Sequence, residues 1–323
     1  MGKHIAARPT SPSQGRDLPW QGLAYLSAVY VIWGSTYLAI RVAVRPGSGF
    51  PPFTMGATRI LLAGALIFGL SALRRYRLRV TGRELGLLAA SGLLLWTGGN
   101  GLVVWAEQRA NSGYAALIIS TVPIWIALIE AIIDRRWPSR QLVAALLVGF
   151  IGIIVLTAPE LRGANQADLL ALAALLLSPL SWSLGSILQQ RRPVAQPVLV
   201  TSAYQHLFGG LGFAIAMLLT HEPRPGPSPE AWLAWLYLVT VGSLIGFTSF
   251  LQALRLLPIS IATTYAYVNP VVAVSLGALI LHEPITPWMV AGSLLVLVGV
   301  AGIFRLKYRR QHSQNATRAD YVK

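Results

Sequence analysis

The sequence predicts an all-α integral membrane protein, with ten transmembrane helices in two inverted five-helix repeats around a central cavity. Three observations carry this. Of 323 residues, 54% are hydrophobic and only 11% charged, where a soluble domain carries roughly 25% charged residues. Apolar runs of about 20 residues, the length a helix needs to cross hydrocarbon, recur along the whole chain. An ungapped shift of 147 residues also superposes one half on the other. It pairs Ala106 with Ala253, Ala115 with Ala262, Pro123 with Pro270 and Ala131 with Ala278. It continues through Ile133 with Ile280, Ala144 with Ala291, Leu147 with Leu294 and Gly152 with Gly299. A repeat of that length means two copies of one structural unit.

Taken in order, residues 1–19 form a polar tail without a packing pattern, expected to be disordered and cytoplasmic. The first apolar run begins near Trp20 and is long enough to span, so no cleavable signal peptide is expected. The spans are placed at 20–43, 52–73, 84–105, 111–133 and 140–158, then 167–189, 198–220, 231–252, 258–281 and 286–305. Residues 20–158 form repeat 1, residues 167–305 repeat 2, and 306–323 a basic cytoplasmic tail. Loops are short; the longest, HEPRPGPSPE at 221–230, is a proline-rich turn. No ATPase subunit or soluble regulatory domain is expected.

Lys and Arg set the orientation, because cytoplasmic loops retain them. With a cytoplasmic N-terminus, 20 of the 26 bases lie in inner segments. The inner groups include Arg74, Arg75, Arg77, Arg79 and Arg83, then Arg135, Arg136, Arg140, Arg191, Arg192 and Arg255. Only Arg45, Arg109, Arg162 and Arg224 lie in outer loops, while Arg41 and Arg59 fall within spans. Topology thus accounts for the net charge of +15, and no nucleic-acid partner is expected. Each copy has an odd number of spans, so the second enters the membrane from the opposite side. Inverted repeats of this kind recur in secondary transporters, with a site near the midplane between them.

Polar and aromatic side chains within spans are the candidate site, because unpaired polar groups are costly at membrane depth. Trp33, Tyr37 and Arg41 recur at i, i+4 and i+8 on one face of the first span. Trp96, Asn100 and Glu107 share a face of the third, where GGNG (98–101) allows close backbone approach. Ser178, Trp182 and Ser186 form a matching stripe in the sixth span, and Gln205 and His206 lie inside the seventh. Tyr265 and Asn269 precede Pro270. Asn100 and Asn269 suit either a cavity or interhelical hydrogen bonding, and His206 a hydrogen bond within the bundle. Arg41 is expected to snorkel outward, and Arg59 to serve as an ion-pair or carbonyl-bonding post. Glu130 and Asp134 sit at an inner end beside Arg135 and Arg136 as structural groups. Trp105, Trp137, Trp232, Trp235 and Trp288 suit interface anchors. Pro123 and Pro270 each remove a helix hydrogen bond and are candidate hinges. Ala145 with Gly152, and Gly292 with Gly299, are seven apart and let the fifth and tenth spans approach a neighbour.

These residues carry a family resemblance. Trp33-Gly-Ser-Thr-Tyr-Leu-Ala-Ile-Arg41 resembles the first-helix signature of the drug/metabolite transporter superfamily, and Pro52-x6-Arg59 its second helix. AEQRANSGYAALIISTVP (106–123) and ALRLLPISIATTYAYVNPVVAVSLGALILHEPIT (253–286) are similar to segments of its EamA branch, with Pro270, Glu283 and Pro284 in the second. The resemblance implies ten helices, a central cavity and export of amino acids, other small metabolites or drugs. Repeat 1 has no counterpart of Glu283 between Arg135 and Pro138, so the halves have diverged.

The expected function is an inner-membrane secondary transporter exporting amino acids or related small metabolites by alternating access. The alternative is a multidrug or lipophilic-cation exporter of the same fold. That reading would want a carboxylate deep in a span, whereas Glu107, Glu130 and Glu283 lie at span ends. An enzyme or passive channel fits less well. The chain has no cysteine, five histidines and no HExxH or GxSxG, so no catalytic residue, metal site or cofactor is assigned. The expected partners are a small-molecule substrate and the lipid bilayer.

If both termini face the cytoplasm, protease added to spheroplasts of an expressing bacterium spares both tails. Cleavage near Arg310 from outside would overturn the orientation.

Overall fold

The computed structural model describes residues 19–135, 139–161, 166–299, 301–302 and 305. The tails, Arg136 to Pro138 and Arg162 lie outside the described residues. Among the described residues, ten helical segments follow one another. They begin with α1 (Trp20–Val44), α2 (Pro52–Leu73) and α3 (Gly82–Ala106). Next come α4 (Ser112–Ile133), α5 (Arg140–Leu161) and α6 (Gln166–Arg191). The remaining four are α7 (Val198–Leu219), α8 (Pro229–Leu256), α9 (Ile259–Ala262 with Tyr265–Leu281) and α10 (Pro287–Gly299). Seven are long and apolar enough to cross a membrane by themselves, and α5, α9 and α10 contain shorter apolar helices. Large apolar side chains such as Val31, Leu66, Ile154, Leu211, Leu233 and Leu279 point outward, as expected where the solvent is lipid rather than water.

Connections alternate between two faces. The loop before α2 pairs with the loop after α7 through Gly226 N to Gly49 O and Ser228 N to Ser48 O, both 2.9 Å. These two loops mark one face, called here the distal face. The other carries the start of α1, and there Gln196 Nε2 donates to Arg79 O and Tyr204 OH to Leu78 O. This second face is the terminal face.

The packing follows the repeat. Equivalent helices pack on each other across the pseudo-two-fold axis, α2 on α7 and α4 on α9. Two further pairs of contacts are images of each other across the repeat: α1 on α9 matches α6 on α4, and α1 on α8 matches α6 on α3. A Cβ on Gly152 would lie 2.6 Å from Val296 N, and one on Gly299 2.7 Å from Ala145 O. Small residues therefore bring α5 and α10 into backbone contact, as the spacing predicts.

Two carboxylates fasten the halves at the distal face. Helices α7 and α9 both run into His-Glu-Pro, at 221–223 and 282–284. In each, the histidine turns left-handed (φ 50° and 54°) and closes the helix. The glutamate then reaches the other repeat. Glu222 accepts from Phe53 N at 2.8 Å, Thr54 N at 2.6 Å and Thr54 Oγ1 at 2.7 Å. Glu283 accepts from Ser112 N at 3.0 Å, Ser112 Oγ at 2.7 Å and Gly113 N at 3.3 Å. Negative charge on unsatisfied N–H groups at a helix start is stabilising. At the terminal face, α2 and α4 run instead into Arg74-Arg75 and Arg135, which cannot cap a helix N-terminus.

The proline pair is not equivalent in local structure. Helix α4 is interrupted at Ser120 and Thr121, so Pro123 sits in the first turn of a new segment, Val122–Ile133. In α9 the interruption falls at Thr263 and Thr264, and Pro270 lies inside the segment Tyr265–Leu281.

Hydrogen bonds to a charged acceptor are worth about 1.5–3 kcal/mol. Glu283→Ala should therefore lower the melting temperature in detergent by several degrees, with Glu283→Gln retaining part of the loss. Equal melting of all three forms would show that the cap contributes nothing.

Candidate functional site

Two kinds of helix distortion shape the interior. The segments Leu93–Gly101 of α3 and Leu238–Phe247 of α8 are π-helical. The 147-residue shift lays one over the other, so the distortion belongs to the repeat unit. Wide π turns of this kind cluster at functional sites. They turn backbone and small residues inward: Trp33 Nε1 donates to Gly242 O at 3.3 Å, and Ser178 Oγ to Gly99 O at 2.7 Å. Gly99 and Gly246 are repeat equivalents, and each seats a tryptophan. A Cβ on Gly99 would lie 2.8 Å from Trp182 Cε3, and one on Gly246 2.7 Å from Trp33 Nε1.

Between these segments lies a cavity of about 60 Å³. Trp33, Thr36, Tyr37 and Ile40 of α1, Arg59 of α2, and Trp96, Gly99, Asn100 and Val103 of α3 line it. Ile119 of α4, Ser178 and Trp182 of α6, and Tyr265 of α9 complete the wall. The tryptophans form a box, in which Trp33 meets Trp182, Phe250 and Tyr265 at ring distances of 5.3, 4.9 and 5.2 Å.

Of the residues expected from the sequence, Trp33, Tyr37, Trp96, Asn100, Ser178, Trp182 and Tyr265 are brought together at this wall. Ser186 is buried outside it and bonds its own helix at Trp182 O. His206 stacks behind it, 4.6 Å from Trp96 and 4.9 Å from Phe247. Gln205 lies toward the terminal face and donates to Ser91 Oγ and Gln189 Oε1. Asn269, with its amide nitrogen as donor, ties Tyr30 O at 3.2 Å to Tyr265 O at 3.1 Å. Arg41 Nη1 donates to the Glu107 carbonyl, and both side-chain oxygens of Glu107 are buried without a hydrogen-bond partner among the described residues.

Arg59 carries most of the site's polarity and was placed by the sequence only as a structural post. It is 2% exposed. Its Nε donates to Ser243 Oγ at 2.9 Å, Nη1 to Asn100 Oδ1 at 3.4 Å, and its guanidinium lies 5.6 Å over the Trp96 ring. No carboxylate lies within ion-pair distance of it among the described residues. The guanidinium therefore ties both π segments together through neutral groups. The repeat held a clue: the shift pairs Arg59 with His206 and Trp96 with Ser243.

Toward the terminal face a second void of about 370 Å³ opens among Leu88, Gln189, Gln190, Arg192, Gln205, Leu254 and Arg255. Along α8, Ser243 lies beside the cavity and Leu254 beside this vestibule, with Phe247 and Phe250 between them. Both are fully buried. With Trp96 and His206 they form an aromatic layer that separates the two spaces.

The sequence profile of the EamA-like transporter family matches residues 20–158 and 169–305. The inner membrane transporter YedA of Escherichia coli strain K12 is 34% identical over 278 residues, covering 84% of this chain and 88% of that protein. The transporter YoaV of Bacillus subtilis strain 168 is 23% identical over 275 residues, 84% of this chain and 93% of its own. A crystal structure of another protein superposes with a TM-score of 0.65 at 20% identity, over 90% of this chain and 98% of that one.

Asn100→Ala and Ser243→Ala should each destabilise the bundle by about 1–3 kcal/mol, since each leaves a buried guanidinium donor unpaired. Thermal unfolding in detergent measures this. Two variants that melt with the parent would mean that Arg59 does not hold the π segments.

Proposed function

Since the chain belongs to the EamA-like transporter family, we propose that it is a secondary transporter exporting amino acids or related small metabolites by alternating access. The supporting observation is the aromatic box between the repeats, with a few fixed polar groups in its wall and an aromatic layer closing one side. Such a wall suits small amphipathic cargo: aromatic faces take the apolar part, and Asn100, Ser178 and Tyr37 fix the polar part. In the orientation set by Lys and Arg, the vestibule at Arg192 and Arg255 faces the cytoplasm and receives cargo. The aromatic layer is then the inner gate. The distal carboxylate caps hold the outer ends of α2 with α7 and of α4 with α9. Export requires the layer to part while these ends stay closed, and the reverse on release. The breaks in α4 and α9, beside Pro123 and before Pro270, are the positions where those helices can swing.

A lipophilic-cation exporter of the same fold is disfavoured, because the charged side chain in the cavity wall is an arginine and no carboxylate lines it.

Counterflow in proteoliposomes tests the proposal, using a panel of labelled amino acids with tetraphenylphosphonium as the cation control. At least one amino acid should exchange and the cation should not. Each aromatic pair is worth about 0.5–1.5 kcal/mol, so Trp33→Ala and Trp182→Ala should cut exchange by roughly tenfold while the protein remains folded in the membrane. Exchange of the cation alone, or undiminished exchange in both variants, would overturn it.

A further inference from the structure

We infer that Arg59 is the ligand for a carboxylate on the cargo, so that the cavity selects small organic acids, amino acids among them, over neutral or cationic analogues. The inference rests on the transport reading above and specifies what that cavity grips.

A guanidinium has five N–H donors in a planar fork, and this one commits only two of them. Nε is held by Ser243 and Nη1 by Asn100. Nη2 donates to no described residue and lies beside Gly242, a residue without a side chain to cover it. Nε and Nη1 lie on different edges of the guanidinium, so Ser243 and Asn100 hold it from two sides and leave Nη2 as the uncommitted nitrogen of a residue that lines the cavity. An arginine held in this way is fixed in position with Nη2 ready to donate a charge-assisted hydrogen bond to a carboxylate.

Charge balance points the same way. A cation buried among apolar helices is costly unless an anion or several hydrogen bonds compensate it, and Arg59 has no ion pair among the described residues. The Glu107 carboxyl, whose oxygens have no hydrogen-bond partner among the described residues, gives it no hydrogen bond. A second donor lies next to the fork: Trp96 Nε1 is buried without a partner among the described residues, and its ring is the one beneath the guanidinium. The route from the terminal face carries the same sign, with Arg192 and Arg255 in the vestibule wall and no acidic residue there. A structural brace alone would need neither an uncommitted nitrogen nor a place in a cavity wall.

The test compares three ligands that differ at one group: phenylalanine, its amide and 3-phenylpropionate. Binding to the purified, detergent-solubilised full-length protein is followed by isothermal titration calorimetry. The parent should bind both carboxylates at least tenfold more tightly than the amide. Arg59→Gln should abolish that preference and Arg59→Lys should keep part of it, because a lysine supplies charge without the fork. Should Arg59→Gln fail to fold, the parent's own preference and the Arg59→Lys variant still decide. The inference is overturned if the amide binds as well as the acids, if neither acid binds the parent, or if Arg59→Gln still discriminates. Its failure is distinct from failure of the transport reading. Amino-acid exchange that the amide matches sinks only the carboxylate ligand, whereas carboxylate binding without any exchange sinks only transport.

Discussion

Hydrocarbon offers no hydrogen bonds, so a polar group inside this bundle must find its partner in protein. Many of the side-chain bonds that join different helices cross to the opposite repeat. Arg59 reaches Ser243, Thr97 reaches Gly209 O, Ser181 reaches Leu94 O, Ser183 reaches Val122 O and Gln205 reaches Ser91. The carboxylates of Glu222 and Glu283 do the same for the first N–H groups of α2 and α4. Apolar contact alone does not separate helix–helix from helix–lipid packing, because both surroundings are equally apolar. The cross-repeat hydrogen bonds therefore decide how the two halves register, and the cavity exists where that register leaves a gap.

The repeat builds a symmetric frame and the side chains break it. One position is Arg59 in the first copy and His206 in the second; another is Trp96 and then Ser243. The first copy's arginine faces the cavity, while the second copy's histidine is packed against Trp96 and Phe247 in the aromatic layer. The helix ends diverge as well, into Arg-Arg at one face and His-Glu-Pro at the other. The same divergence that places bases on one side of the membrane removes the capping carboxylates from that side. A single substitution pattern thus puts arginines at one face and capping carboxylates at the other. The distal ends are fastened between the repeats, and at the terminal face a vestibule penetrates to the aromatic layer.

The two π-helical segments connect this frame to the site. Each carries a glycine on which a tryptophan lies, and between them they supply both hydrogen-bond acceptors of Arg59. A regular α-helix would turn Asn100 and Ser243 through different angles, so the local widening and the placement of the guanidinium are one feature.

Much of the fold was determined by the sequence itself, because crossing a bilayer imposes a length and a polarity on each segment whatever its neighbours are. The ten runs, their alternation and the inverted repeat follow from that constraint and from the 147-residue shift. So did half of the cavity wall: Trp33, Tyr37, Trp96, Asn100, Trp182 and Tyr265 stand out because aromatic and amide groups at helical spacing are rare among leucine and alanine. Tertiary structure alone decided which polar groups meet. Arg59 and Ser243 are 184 positions apart, and whether a buried arginine finds an acid, an amide or a hydroxyl depends on where two helices cross. It also decided that Gln205, His206 and Asn269 are tied up outside the cavity wall, although they are as polar and as deeply placed as those within it. The physical reason is that lipid-facing and protein-facing surfaces of these helices are both apolar. Periodicity then carries little information about which face turns inward, and only the packed bundle can supply it.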